Sequence, residues 1–371
     1  MPAERYTLYG VEGSYYAAKT RSQLLRKGIP FDELPCDRAA FAEVIVPRVG
    51  YPVVPVVITP TGETLQDTAE IFTALEARHP EPALMPPGPL RAFAASVMEL
   101  LADEWLKLPA LHYRWHYDAD FAIQMMGYNN DPHASAAEQR RVGAKIAAGF
   151  SSWPEHLGVT AATRAAVEAS WLDCLALLDT HFAAHDFAFG DAPCLADCAM
   201  MGPLYAHLYR DPYSGAIVRE RAPAVCAWIA RMRTDEPGAG QGAHVADDVP
   251  DTIRAVLRHL ARDCAPTLAD ANPLLQAWLG NRPDREIPRY VGKHRFTLGR
   301  GHPYAAEGLR SIHPFELWKA QRVRDRFAAA TAVERERLRQ FCDDIDCAAL
   351  LDLTFVHRLE RRGFRLVRAA A

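Results

Sequence analysis

Apolar and polar positions alternate over Tyr6-Thr7-Leu8-Tyr9-Gly10-Val11, a period of two that predicts a short, half-buried strand. Residues 12–25 open on Glu12-Gly13-Ser14 and then read as a helix. Gly28 closes that helix as its C-terminal cap. Phe31-Asp32-Glu33-Leu34-Pro35 is a second candidate strand. The β-branched run Val53-Val54-Pro55-Val56-Val57-Ile58 is a third, and the turn at Thr61-Gly62 starts a fourth. Pro55 has no N–H to donate, so it belongs at the first residue of its strand, where a cis bond would turn the chain sharply. Val54, just before it, keeps its backbone N–H and C=O free to face a ligand. Asp67-Thr68 then open a helix whose first N–H groups suit an anion. The order βαβ followed by ββα, over 1–80, makes a thioredoxin-like half.

The pattern changes after a proline-dense linker at 81–89, where proline stiffens the connection and blocks helix continuation. Apolar residues at helical spacing, among them Phe93, Val97, Leu100, Leu101 and Trp105, predict a helix over 90–107, broken or kinked by Pro109. Further helices are expected over 140–150, 161–184, 196–209 and 222–232, so 90–240 is all-helical. Gly238-Ala239-Gly240-Gln241-Gly242 reads as a loop. The extension, 241–371, is mainly helical, with helices over 252–264, 274–279, 314 into the 330s, 333–341 and 347–362. Residues 287–299 within it read as a loop or hairpin.

Composition narrows the class without naming a function. The 371 residues are 49% apolar and 24% charged with a net charge of −4, ordinary for a globular protein and against a nucleic-acid partner. The basic end, 357–368, reads as a solvated face or a partner for Asp343-Asp344-Ile345-Asp346. No apolar leader and no membrane span is expected. None of the eight cysteines forms a Cys-x-x-Cys pair, and their scatter fits a reducing cytoplasm.

The segment Val54-Pro55-Val56-Val57, then Asp67-Thr68-Ala69-Glu70-Ile71, resembles the glutathione-binding half of the glutathione transferase superfamily. The family pattern there is Val-Pro followed by two hydrophobic residues, a turn, and Glu/Asp-Ser/Thr-x-x-Ile. Asp191-Ala192-Pro193-Cys194-Leu195-Ala196-Asp197 resembles the helix opening of the family's second domain, with Cys194 in place of the usual hydroxyl cap. Asp197 is then a structural residue that reaches back to the cap's N–H. The resemblance spans 6–240. It implies a thioredoxin-like α/β N-terminal domain, an all-α C-terminal domain and a mainly helical extension of unexplained role.

The resemblance also implies a chemistry. A thiol is mostly protonated at neutral pH and its thiolate is the nucleophile, so a transferase must stabilise the thiolate of bound glutathione. Aligned on the first helix, Ser14 falls on the catalytic Ser/Cys position, Tyr15 on the usual proline and Tyr16 on the usual aromatic, with Lys19 and Arg21 on basic positions. Ser14 is equally placed to be a plain helix cap. Tyr9 stands where tyrosine-type members put their donor, with core packing as the alternative for Tyr9 and Tyr16. Val54 would hold the cysteinyl backbone, Thr68 the γ-glutamyl carboxylate and Asp67 the γ-glutamyl ammonium, with a simple helix cap as the alternative for Asp67-Thr68.

Trp105, His112, Tyr113 and Trp115 would line an apolar acceptor pocket, or else pack the domain interface. Arg114 would pair with Asp103 or Glu104. His112 and His116 are four apart, but no third ligand is specified and no metal is expected. The expected activity is addition of the glutathione thiolate to a small electrophile by a cytoplasmic homodimer. The alternative is a non-catalytic scaffold that uses the extension for a partner. A glutathione-dependent reductase would need a site cysteine, and the first one is Cys36.

Overall fold

The computed structural model describes residues 5–190, 192–234, 247–282 and 286–370; the expected loop at Gly238–Gly242 lies outside them. Strands β1 (Tyr6–Tyr9), β2 (Phe31–Leu34), β3 (Val56–Ile58) and β4 (Thr64–Gln66) form one sheet in the order β2-β1-β3-β4. The β1–β2 pair is parallel, so the chain crosses between them through helix α1 (Tyr15–Arg26). The other two pairs are antiparallel. Helix α2 (Thr68–Arg78) follows β4. The period-two pattern buries Leu8, Val57 and Leu65 with Leu24, Ile71 and Leu75 on one face. Tyr9 and Val56 join Cys36, Ile45 and Val49 on the other. This is the expected thioredoxin-like α/β half.

The middle of the chain is helical: α3 (Pro89–Leu100), α4 (Lys107–His116), α5 (Ala119–Asn130), α6 (Ala136–Ala147), α7 (Arg164–Ala184), α8 (Leu195–Met201), α9 (Pro212–Arg221) and α10 (Pro223–Arg233). The break expected at Pro109 falls earlier. A π-turn, Leu101–Trp105, ends at Leu106, and Pro109 then sits in the first turn of α4, where its missing N–H would have had no helical partner. α5 carries little apolar periodicity and was not expected. It is held by α6, with which it packs almost backbone to backbone: a Cβ on Gly143 would stand 1.9 Å from the Ile123 carbonyl oxygen. Gly143→Ala therefore forces the two helices apart and is expected to cost about 1–3 kcal/mol, read as a lower denaturation midpoint. An unchanged midpoint would contradict that packing.

The extension departs most from expectation. The two helices predicted over 252–264 and 274–279 are one, α11 (Asp251–Gly280), with Pro266 and Pro273 inside it. Its buried stripe runs from Ile253 and Leu257 to Leu275 and Leu279, so packing outweighs the proline penalty. Residues 293–311 form the hairpin β5 (Lys293–Leu298) and β6 (Ala306–Ser311). Helices α12 (Pro314–Ala329) and α13 (Ala332–Asp344) follow, both packed on α3.

The helix expected over 347–362 is absent. One 3-10 turn (Ala348–Leu350) leads to a second hairpin, β7 (Leu359–Arg362) and β8 (Arg365–Arg368). Gly363 and Phe364, at φ 55° and 63°, make the two-residue turn with both φ positive that suits a tight hairpin. Asp344 and Asp346 pair with Arg254, Arg258 and Arg262 of α11 rather than with the basic end. No helix among the described residues is long and apolar enough to cross a membrane.

Buried histidines give the fold a pH dependence. Burial depresses His181 and His313 to about 4. An unfolded histidine takes its proton near pH 6.5, so between about pH 6.5 and 4 the unfolded chain binds more protons than the folded one. Stability is therefore expected to fall as pH falls through that window, by up to roughly 3 kcal/mol per histidine. Urea midpoints at pH 7 and pH 5 check this; equal midpoints would contradict it.

Candidate functional site

The candidate residues lie where the β3–β4 ladder ends. Val56 pairs with Gln66 in its last rung, and Val54 and Thr68 each lie two residues beyond it. The Val54–Pro55 bond is cis. The Val54 N–H and C=O form no hydrogen bond with the described residues. Thr68 is 3% exposed, and its hydroxyl has no hydrogen-bond partner among the described residues. A buried hydroxyl without a partner costs about 1–3 kcal/mol, and the Thr20 and Ser214 hydroxyls share that state.

Asp67 between them has φ 75°, a region that side chains rarely adopt and that clusters at ligand clamps. Its carboxylate caps α2, with Oδ1 accepting from the Ala69 N–H at 2.9 Å and the Glu70 N–H at 3.4 Å. The simple cap weighed for Asp67 is thus present, and its charge is shared with the helix N-terminus.

Ser14 caps α1, its Oγ accepting from the Ala17 N–H at 3.3 Å. That role leaves the hydroxyl proton available to a thiolate. Tyr9 ends β1, 9% exposed, and its hydroxyl makes no hydrogen bond with the described residues. Tyr16 Oη donates to the Asp103 carbonyl at 3.1 Å, which commits its proton. Burial, then Glu104 and Asp103, push its pKa well above the usual value, so it stays neutral.

The turn before Ser14 is clamped from the helical domain. Arg114 donates to the Gly13 carbonyl at 3.1 Å, to both Asp211 carboxylate oxygens at 2.7 Å and to the Ala206 carbonyl at 3.0 Å. Its partner is therefore Asp211, not Asp103 or Glu104. Burial, then Arg114, depress His207 strongly, so the ring is neutral and its Nε2 accepts from Arg114 at 2.7 Å. The carboxylates expected to pair with Arg114 serve lysines instead. Lys19 reaches Glu99 and Asp103, both at 2.6 Å, and Lys107 reaches Glu104 at 2.5 Å.

Four residues that the sequence did not place at the site come from the extension. Lys319 of α12 bonds Asp103 and lies 5.8 Å from the Tyr16 ring. Arg361 of β7 donates to Gln66 Oε1. The Phe364 carbonyl accepts from the Tyr51 hydroxyl at 2.8 Å, and its ring joins the apolar cluster that includes Val53 and Val54. Arg365 stands 4.4 Å over the Tyr51 ring. The hairpin tip thus rests on Gln66 and Tyr51, beside Val53 and Val54. Gln66 directly precedes Asp67, which was the one sequence signal available; Lys319, Arg361 and Phe364 had none.

The aromatics expected at an acceptor pocket are packed inside. Trp105, His112 and Tyr113 are buried, and an Arg310 guanidinium sits 5.2 Å over the Trp105 ring. His112 bonds Glu168 at 2.8 Å and the His116 ring at 2.9 Å. Trp115 is partly buried, with no partner for its Nε1 among the described residues. None of the four lines the 550 Å³ cavity between α3 and α12. Among the described residues no cluster of three His, Cys, Asp or Glu is placed to hold a metal ion. Asp197 takes its expected structural place, accepting from the Cys194, Ala188 and Trp228 N–H groups. Cys36 is buried, and burial, then Glu33 and Asp37, push its thiol up to about 12, which makes it a poor redox nucleophile.

Comparison with known proteins adds a family. The family model for the glutathione S-transferase N-terminal domain matches residues 8–83, and that for the C-terminal domain matches 158–236. No curated protein matches. Solved structures similar to this chain include a glutathione S-transferase from Methylobacterium radiotolerans in complex with glutathione sulfonate, at 22% identity and TM-score 0.39, over 66% of this chain and 99% of that one. The beta-etherase LigF from Sphingobium sp. strain SYK-6 is similar at 18% identity and TM-score 0.44, over 63% and 96%. A glutathione S-transferase from Methylobacillus flagellatus with glutathione bound is similar at 20% and 0.38, over 62% and 99%. The two family models fall in order on the thioredoxin-like half and on the helical half, and these two domains belong to the glutathione S-transferase superfamily.

Proposed function

We propose that this chain binds glutathione in the groove between Val54 and Thr68 and adds its thiolate to a small electrophile. The Val54 N–H and C=O hold the cysteinyl backbone. The Thr68 hydroxyl and N–H hold the γ-glutamyl carboxylate at the α2 N-terminus, and Asp67 faces the γ-glutamyl ammonium. Ser14 donates to the thiolate, which lowers the cost of ionising it. Homodimerisation, common in the family, is part of the proposal. So are a cytoplasmic setting and the division into 1–80, 90–240 and 241–371.

The observation that carries the reading is the buried Thr68 hydroxyl without a partner, two residues past the end of the β3–β4 ladder, as the open Val54 amide is. Thr68→Val keeps the shape and removes only the hydroxyl. A hydrogen bond to a charged group contributes about 1.5–3 kcal/mol, so glutathione is expected to bind roughly tenfold to a hundredfold more weakly, by calorimetric titration. Unchanged affinity would sink the assignment.

A second reading, a non-catalytic protein that keeps the fold, is favoured by the hairpin tip resting on the groove. Turnover of an electrophile by a variant with the tip released separates the two.

A further inference from the structure

The extension creates a second candidate site away from the groove. A cavity of about 550 Å³ lies between α3 and α12, within the range of small-ligand pockets. Phe72, Met85, Leu100, Val323 and Leu338 give it apolar walls. Six charged residues line it: Glu99, Lys319, Arg322, Asp325, Arg326 and Glu334.

Five of these are already committed. Glu99 holds Lys19, Lys319 holds Asp103, Arg322 holds Glu70, and Asp325 holds Arg358. Glu334 caps its own helix by accepting from the Thr331 N–H. Arg326 alone among them has neither an ion pair nor a hydrogen bond with the described residues. It is half-buried between Glu99, which favours its charge, and Arg322, which opposes it. A half-buried guanidinium with no hydrogen-bond acceptor at the cavity wall has donors to offer an anion.

We propose that this cavity binds a small amphipathic carboxylate, its head on Arg326 and its apolar body between α3 and α12. The site would not exist without the extension, because α12 and α13 supply one wall.

The test titrates the full chain with decanoate and, separately, with decanol. Decanoate is expected to bind saturably at one per chain, and decanol at least tenfold more weakly. Arg326→Gln should weaken decanoate at least tenfold and bring it level with decanol. Ala329→Trp, which adds an indole at the cavity wall and leaves every charge, should abolish decanoate binding. Decanoate bound equally by Arg326→Gln, retained by Ala329→Trp, or absent at millimolar concentration would overturn the proposal. Glutathione affinity should be unchanged in both variants, which separates this site from the groove.

Discussion

Arg114→Ala is expected to destabilise the protein by about 3–5 kcal/mol, the typical cost of leaving one member of a buried ion pair behind. Asp211 is fully buried, and both of its carboxylate oxygens take their hydrogen bonds from Arg114 at 2.7 Å. The same guanidinium serves the Gly13 carbonyl, the Ala206 carbonyl and His207 Nε2, so the variant leaves acceptors on four residues short of a donor. The loss extends beyond stability. Gly13 sits under Met125, where a Cβ would meet the sulfur at 2.4 Å, and the next residue is Ser14. With the clamp gone, the turn that presents Ser14 loosens. Urea denaturation reads the first effect, and the Arg114→Ala, Asp211→Ala double variant should recover part of it because the stranded charge is removed as well. A loss below about 1 kcal/mol in the single variant would show that the clamp does not hold the two domains together.

Releasing the hairpin tip should tighten glutathione binding. In the Arg361→Ala, Phe364→Ala double variant the Gln66 hydrogen bond and the ring packed near Val53 and Val54 are both lost. Each contributes on the order of 1 kcal/mol, so the tip should leave the groove about tenfold more often or better. A ligand that needs the groove open binds with an apparent Kd divided by the open fraction, so affinity rises by the same factor. The fold should survive, because the buried anchor of the hairpin is Leu359, which also bonds Gln321, and it is untouched. Weaker binding in the double variant would mean that the tip is a wall of the site rather than its cover.

Much of the thioredoxin-like half was legible because its signals are local. Alternation marked β1, a proline before a β-branched run marked the cis bond, and Asp67-Thr68 marked the start of α2. The limits came from distance along the chain. Arg114 finds Asp211 across 97 residues, and Tyr51 finds Phe364 across 313. No periodicity announces such pairings. The 347–362 segment misled for another reason. Nine of its sixteen residues are apolar, which suits a helix, and the second turn position is Phe364, which carries none of the usual turn chemistry. In α11, Pro266 and Pro273 argued for two helices, and a continuous buried stripe overrode them. At the groove, Val54, Asp67, Thr68 and Ser14 could be picked from the pattern alone. The cover that rests on Gln66 and Tyr51 could not.

The most direct measurement is a crystal structure of the full chain grown with glutathione sulfonate. The account predicts the cysteinyl backbone paired with the Val54 N–H and C=O, the γ-glutamyl carboxylate on Thr68, and the Gly363-Phe364 tip lifted from Tyr51. A ligand bound elsewhere, or a tip that stays on Tyr51 with the groove empty at saturating ligand, would contradict it.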